Sequence, residues 1–435
     1  MIIKKLKSLN WIKLLIWIGA INLLIFSALV AYSFLHIEKP DPGRDAFYAA
    51  DTKPIPDDQN IAIALAGLNA PAGSDIIEHG RFVIDAYKQT DSNKIAETLI
   101  AQKKEISFTG KSDELLCWVN DAFKKIPKNC ASAARISAFL IENKLLLNRY
   151  ADLQKLPYSQ GVIKNVMTVI HVNELLAAEI KLDIKNKKSE AAYQKWHINH
   201  QFINRVFAQE GGLVNRGLFL SLYEISLDTL EFMLFESPNI TKQHADELLI
   251  TLKPSGLEKY NIQGMLKLEH NSKQKYVTKM HSTSVKIQPE YIANREYRVN
   301  LDFLKEAQKL PFTFEESQNK LFEQYYYSAG NDYLDINWLN PLNSILSKVV
   351  VNNVLKGFRF VELMHSKNAL VKLLNLKIRI QQQNIVDADI QAFLNNAGSA
   401  YLNPFTNKPM RWIATKRVLI CDKPNSDKSP VEVRL

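Results

Sequence analysis

The chain has 435 residues, 46% of them hydrophobic, and its 55 Lys and Arg against 45 Asp and Glu give a formal charge of +10. Four of those lysines fall in the first 35 residues, which hold no acid, so the remainder carries 51 basic against 45 acidic side chains and is only mildly basic at +6. On a body placed across a membrane, that balance argues against nucleic acid as a partner. Three cysteines without a Cys-x-x-Cys or a nearby histidine pair give a structural zinc site no ligands.

Residues 14–35 run 22 positions without a charge, and a helix needs roughly 20 apolar residues to cross the hydrocarbon. Lys4, Lys5, Lys7 and Lys13 precede them, and a lysine-rich flank stays cytoplasmic. The stretch is longer than the apolar core of a cleaved signal, roughly 7 to 15 residues, and runs into Tyr32 to His36 without a small-x-small cleavage site. We therefore expect residues 1–13 as a basic cytoplasmic tail, 14–35 as an uncleaved single-pass anchor, and the rest outside the cytoplasm. Asn22 is the one strongly polar residue of the span, and no cysteine near its end offers a lipid attachment site.

Residues 36–58 contain Lys39-Pro-Asp-Pro-Gly43 and Thr52-Lys-Pro-Ile-Pro56; without apolar periodicity they read as a stand-off linker. The body, 59–435, opens with a short apolar segment and the turn Asn69-Ala-Pro-Ala-Gly73. Ser74 reads as the cap of a helix over 75–88, and Ser112 as the cap of a short helix holding Cys117 and Trp118. A run over 131–155 follows. Three long helices come next, with stripes at Val172, Leu176, Ile180 and Ile184, at Trp196, His200, Ile203 and Phe207, and at Leu220, Tyr223, Leu227, Leu230 and Leu234. Each stripe must be buried against a neighbour, which implies antiparallel helix packing. Residues 254–315 are less regular, with room for a strand or two over 275–287. Helix returns at 315–327 and at 342–383, broken near Gly357 or Ser366, and the tail 403–421 reads as a small β-hairpin. The fold class is thus mainly α: an N-terminal transmembrane helix, an antiparallel multi-helix body and a C-terminal hairpin.

In an oxidising compartment two of the three cysteines are expected to pair. Cys117 and Cys130 are 13 residues apart, a separation that suits a bridge worth about 3 kcal/mol, although a pairing with Cys421 stays open. Residues 343–383 hold Lys348, Lys356, Arg359, Lys367, Lys372, Lys377 and Arg379 against the single acid Glu362. Such a strip suits anionic lipid headgroups or an anionic envelope polymer, and its plain alternative is a solvated helix face.

Cys117 and Cys130, Leu146-Leu-Asn-Arg-Tyr150, Asn340-Pro341 and the tail Asn403-Pro-Phe-Thr-Asn-Lys-Pro409 resemble, in that order, a family of uncharacterised exported proteins of Gram-negative bacteria. That family's tail reads more like Asp-Pro-Phe-Thr-Gly-Lys-Pro, so Asn403 and Asn407 depart from it. The resemblance implies an envelope location and a helical fold, with no activity attached; with the expected span, the anchor would lie in the inner membrane and the body in the periplasm. The tail has a structural meaning of its own: two X-Pro turns, with Asn407 able to take positive φ in place of glycine.

Candidate chemistry is sparse. Glu362-Leu-Met-His365 has metal-ligand spacing on one helix face, but a bundle di-metal site needs a second such pair and none exists. Glu224, Asp228 and Glu231 share a face, which reads as solvated acid rather than acid-base machinery. His200 lies within an apolar stripe and reads as a core residue. Ser317-Gln-Asn-Lys320 and Gly110-Lys-Ser112 are fragments of catalytic and phosphate-binding motifs without their remaining elements. Tyr325, Tyr326, Tyr327, Tyr333 and Trp338 crowd one region, which either packs a core or offers rings to a glycan or a protein partner. No cofactor is expected. The leading expectation is a non-enzymatic scaffold or interaction protein of the envelope, whose partner is another envelope protein or an anionic polymer. The alternatives are a cell-wall hydrolase with one glutamate such as Glu269 or Glu315, and a glycan-binding module.

Overall fold

The computed structural model describes residues 19–28, 31, 38–49, 55–87, 105–110, 114–115, 118, 131–161, 163–209, 211–281, 289–327, 341–423 and 429–435. They are mainly helical with one small antiparallel sheet near the C-terminal end. The chain divides into two compact units. Unit 1 takes Met1–Ala49, Glu269–Ala307 and Phe314–Arg359; unit 2 takes Ala50–Leu268, Gln308–Thr313 and Phe360–Leu435. Of the expected span, residues 19–28 and 31 are described, and they are helical. Ile21, Leu23, Leu24, Ile25 and Phe26 are each half or more exposed there. Among the described residues no helix is long and apolar enough to cross a membrane.

Unit 1 contains part of the stretch read as a linker. Gly43 takes φ 84°, a left-handed value that glycine adopts without a Cβ penalty, and starts α1 (Arg44–Tyr48), whose Arg44 and Tyr48 are buried. Residues 38–49 are therefore held, not extended.

Unit 2 begins with α2 (Ile61–Ala66), capped by the Asn60 side chain accepting from the Ala62 N–H at 3.0 Å. It packs on α3 (Ile76–Tyr87). A Cβ on Gly67 would stand 1.7 Å from the Ile76 carbonyl oxygen, and one on Gly80 2.0 Å from that of Ile63, so only glycines let these backbones meet. The cap of α3 is Asp75, whose Oδ1 accepts from Ile77 and Glu78 N–H at 2.6 and 3.1 Å, one residue beyond the expected Ser74. The expected run 131–155 splits into α4 (Ala133–Glu142) and α5 (Lys144–Leu153). At the break, buried Asn143 exchanges hydrogen bonds with the backbone of Thr109 at 2.7 and 2.8 Å.

Three long helices then pack on one another, α6 (Val166–Lys185), α7 (Ser189–Phe207) and α8 (Leu213–Glu236). All predicted stripe residues of α7 and α8 are buried, whereas on α6 Leu176 is only half-buried. Helix α8 exceeds its stripe: Leu218, Phe219, Leu222, Ile225, Phe232 and Met233 are buried too, so it is the central helix rather than an amphipathic one. A polar knot joins α5, α6 and α7. The Asn199 Oδ1 accepts from Tyr150 Oη at 3.1 Å, Gln154 Nε2 at 2.8 Å and Asn173 Nδ2 at 3.3 Å. Helix α9 (Pro238–Thr251) packs on α7 and α8 and kinks at His244, with φ −122° and ψ 17°.

Helix α10 (Ile262–His281) replaces the strand expected over 275–281, and 282–287 lie outside the described residues. Its polar and apolar residues alternate locally, but α-helical neighbours decide the period. Unit 1 continues with α11 (Pro289–Ala307) and α12 (Phe314–Phe322), which Glu323–Tyr327 extend as a π-helical turn. Helix α13 (Pro341–Lys356) packs on α11. Phe303 and Phe358, 4.6 Å apart between ring centroids, are buried in unit 1.

Helix α14 (Phe358–Gln382) starts after the break at Gly357, one of the two positions expected. In unit 2 its buried Asn375 donates to the Leu249 and Leu252 carbonyls at the end of α9 and accepts from Tyr401 Oη at 2.8 Å. After α15 (Ile390–Asn395) comes the hairpin of β1 (Arg411–Ile413) and β2 (Val418–Cys421), with Trp412 opposite Leu419. A third strand, β3 (Val431–Arg434), pairs antiparallel with β2, with Val433 opposite Leu419, so the expected hairpin is the first half of a three-stranded sheet. The tail motif closes the fold. Asn403 Nδ2 donates to the Asp422 carbonyl at 2.8 Å and its Oδ1 accepts from Phe405 N–H at 2.8 Å, while Asn407 takes φ 54°.

Candidate functional site

Most residues singled out in the sequence turn out to have structural work. His200 is buried against Trp196, with Nδ1 2.9 Å from Ser226 Oγ, and burial lowers its pKa to about 3, so it stays neutral. His365 is buried and stacks on Phe312 at 4.6 Å. Ser317 is buried, and Lys320 pairs with Glu306 at 2.5 Å. Arg149, in the Leu146 to Tyr150 motif, donates to the carbonyls of Leu68, Ala70 and Pro71 at 3.0, 2.5 and 2.8 Å, tying down the turn beyond α2. Cys421 is a free, buried thiol whose pKa burial pushes up to about 12. Cys117 and Cys130 lie outside the described residues, as do the Tyr333 and Trp338 positions and the side chains of Tyr326 and Tyr327. Tyr325 is half-buried and its hydroxyl donates to Asp302 Oδ2 at 2.7 Å. Glu269 is half-buried and Glu315 exposed.

Two expectations about charge are corrected. Glu224, Asp228 and Glu231 are only in part a solvated face: Glu224 is exposed and pairs with Lys367 at 2.5 Å, whereas Asp228 and Glu231 are half-buried. Burial raises both carboxyls, Asp228 to about 7, with Glu224 and Glu231 adding to it and Lys367 opposing. The basic strip is not a uniform solvent face either. Lys372 is buried and donates to the Leu402 carbonyl at 2.8 Å, Lys377 is fully buried with its pKa lowered to about 8 by burial, and Arg379 lies over the Tyr401 ring. Lys356 and Arg359 are exposed.

Unit 2 carries a groove of about 890 Å³ along α9, closed on the other side by the end of α14 and the turn after it. Thr241 Oγ1 donates to Gln381 Oε1 at 2.8 Å and Gln382 Nε2 to Asp246 Oδ1 at 3.0 Å, which fixes the two walls. Ile380, Ile385 and Ile390 give it apolar surface, and Lys242, Glu247 and Arg417 give it charge of both signs. The kink residue His244 stacks on Tyr193 at 3.7 Å and meets Glu190 at 2.9 Å. Glu247 accepts from Tyr193 Oη at 2.7 Å and faces His197 at 3.2 Å.

Unit 1 carries a second pocket of about 230 Å³ that sequence reasoning did not find. Its frame is a polar clamp between residues 38–49 and α11. Buried Asn294 accepts from Asp41 N–H at 2.9 Å and Arg44 Nη1 at 3.0 Å, and donates to the Lys39 carbonyl at 2.7 Å and Glu38 at 3.0 Å. Arg44 also pairs with Glu290. Deeper in, His270 stacks flat on Tyr48, 3.6 Å between centroids, and its Nδ1 lies 2.7 Å from Glu296 Oε2. Lys273 reaches the other Glu296 oxygen at 2.9 Å, and Asn300 donates to Tyr48 Oη at 2.8 Å. Burial alone would raise the Glu296 carboxyl; the His270 hydrogen bond and the Lys273 charge outweigh it and hold it below the usual range. An ionised carboxylate only accepts, so Nδ1 carries the proton and, in the neutral ring, Nε2 carries the lone pair. The sequence signal for this cluster was the four-residue spacing of Glu290 with Asn294 and of Glu296 with Asn300 on α11. Among the described residues no group of three or more His, Cys, Asp or Glu side chains is arranged to hold a metal ion. No protein-family model, no curated protein and no solved structure matches the chain.

Proposed function

We propose that this protein is a single-pass, inner-membrane-anchored interaction protein of the bacterial envelope, with its basic N-terminus in the cytoplasm and its helical units in the periplasm. One observation carries the reading: the helical residues 19–28 present Ile21, Leu23, Leu24, Ile25 and Phe26 outward, each half or more exposed. Apolar side chains left open along a helix within a charge-free stretch are stable in lipid and unstable in water. Lys4, Lys5, Lys7 and Lys13 set the orientation. The groove of unit 2, lined by isoleucines together with charge of both signs, is the surface on which such a protein receives an extended polar segment of a partner.

Two measurements test this. An alkaline phosphatase reporter fused after position 60 is expected to be active, and activity only of a cytosolic reporter at that junction would refute the topology. Gentle crosslinking in intact cells followed by detergent extraction is expected to retain a second envelope protein, with loss of that product when Ile385→Asp and Lys242→Glu are introduced in the groove. A protein that remains solitary under those conditions has no scaffold role.

A further inference from the structure

We infer that unit 1 is seated directly on the periplasmic headgroup layer of the bilayer, through residues 38–49 and the part of α11 that holds Tyr297 and Arg298, and is not carried on a flexible tether. This rests on the anchored reading proposed above, and adds to it the surface of the body that meets lipid.

Chain length comes first. A single pass takes roughly 20 residues, and the uncharged stretch 14–35 supplies 22, so the far edge of the hydrocarbon falls at about Leu35. Glu38 is three residues further on, at most about 11 Å away for a fully extended chain. The headgroup region on one side of a bilayer is itself about 5–8 Å deep, so Glu38 lies within it or at its edge. Had residues 36–58 been an extended linker, those 23 residues could have carried the body about 80 Å from the membrane.

The clamp comes second, and it takes hold at Glu38 itself. Glu38 Oε1 accepts from Asn294 Nδ2 at 3.0 Å and from Arg298 Nη2 at 3.3 Å. The Lys39 carbonyl accepts from the same amide at 2.7 Å, and Arg298 Nε and Nη2 donate to the two Asp41 oxygens at 2.6 and 2.9 Å. These bonds leave α11 no slack to stand away from a residue that sits at headgroup depth. The side chains beside the clamp suit that depth. Tyr297 is half-buried with its ring 5.4 Å from that of Phe47, and the Arg298 side chain is 48% exposed. Side chains with an apolar stem and a polar tip are the ones that settle at a boundary between water and lipid. Charge does not set the seat. Lys39, Arg44 and Arg298 stand against Glu38, Asp41, Asp45 and Glu290, one negative charge in excess, so anionic lipid is not drawn to this surface and the short tether alone places it.

The test places the full chain in phosphatidylcholine nanodiscs that carry a lipid with a photoreactive diazirine, on the headgroup in one set and at the end of an acyl chain in the other. Adducts formed on illumination are mapped by mass spectrometry. The acyl-chain probe is expected to label residues 19–28, and the headgroup probe to label residues 38–41 together with Tyr297 or Arg298. Insertion of twelve glycine and serine residues between His36 and Ile37, a spacer of about 20 Å, is expected to lower the α11 adducts at least fivefold while a thermal melt shows the body folded. Replacing half of the lipid by phosphatidylglycerol is expected to leave those adducts within twofold. Acyl-chain labelling of 19–28 without headgroup adducts on Tyr297 or Arg298 would overturn the seating and leave the anchor standing. Adducts unchanged by the insertion, or dependent on phosphatidylglycerol, would overturn the tether as its cause. Absence of acyl-chain labelling would remove the anchor, and the seating with it.

Discussion

Helices α8 and α11 are both long and both bury apolar side chains, but the ring contacts along α8 differ in kind from those α11 makes with residues 38–49 and with α10. Around α8 the partners are rings and aliphatic chains: Phe219 lies within 6.2 Å of both Phe202 and Phe207, and Tyr223 meets Phe207 edge-on at 5.6 Å. Around α11 the contacts to residues 38–49 and to α10 are amides, a guanidinium and an imidazole on a carboxylate, through Asn294, Arg44, Asn300 and the His270–Glu296 pair. Apolar packing is non-directional and tolerates approximate shape, whereas buried polar contacts are strong only when every donor and acceptor is matched. The ring cluster along α8 is therefore packed like an ordinary helical core. The clamp of unit 1 is a set of all-or-none bonds, which is the construction expected where a pocket has to keep one geometry.

That contrast can be broken by experiment. Truncating Trp196, whose ring is buried on His200 and whose Nε1 donates to the Ser226 carbonyl at 2.9 Å, is expected to cost about 3–5 kcal/mol, measured as a lowered denaturation midpoint with loss of amide protection across α6 to α8. In unit 1, Glu296→Ala leaves His270 and Lys273 without their shared carboxylate. It should cost about 3 kcal/mol, whereas Glu296→Leu, which removes charge but keeps volume, leaves the same unpaired partners and should not restore stability. If Leu is as good as Glu there, the clamp is an apolar site in disguise and the comparison fails. Asn294→Ala, which removes both donors and the shared acceptor at the hub, is expected to cost about 1–3 kcal/mol and to open residues 38–49 to limited proteolysis without affecting α8.

The smallest effects concern pH and lie in unit 2. Asp228 titrates at about 7 in the folded chain against an ordinary 3.8, so folding favours its protonated form. Its contribution is full below about pH 4 and is lost as pH rises to about 7, where the ionised group is at its least favourable. Asp228→Asn is then expected to stabilise by about 1–2 kcal/mol at pH 8, after discounting for partial exposure, with no gain at pH 4. Lys377 has the mirror behaviour, since its pKa falls from 10.5 to about 8. The charged form is disfavoured below pH 8 and the penalty fades as pH climbs towards 10.5, so Lys377→Met should stabilise by about 1 kcal/mol at pH 7 and by nothing near pH 11. Melting curves at three pH values separate these two variants.

Much of the fold could be read directly. The stripes of α7 and α8, the break at Gly357 and the positive φ at Asn407 follow from local periodicity and turn chemistry. The reading went astray where a residue's environment comes from distant chain. Alternation over 275–281 looked like strand but lies in α10, and proline-rich text at 38–49 looked like linker but is clasped by residues about 250 positions away. Val431–Arg434 is four residues long, too short to show a period, and becomes a strand because β2 offers it an edge. The lysines of α14 looked like a solvent face because charge normally stays wet, and the burial of Lys372 and Lys377 comes from packing that a one-dimensional window does not show.

By itself the sequence determined the helices, their apolar faces and the greasy, lysine-flanked stretch at the amino end, because those depend on side chains three or four places apart and on the solvent each prefers. Only the tertiary structure decided that Glu296 orients His270, that Asn294 holds residues 38–49, and that Asp228 and Lys377 titrate near neutrality. Each of those depends on what the rest of the chain brings within about 3 Å of a buried polar atom, and hydrogen bonds reach no further than that.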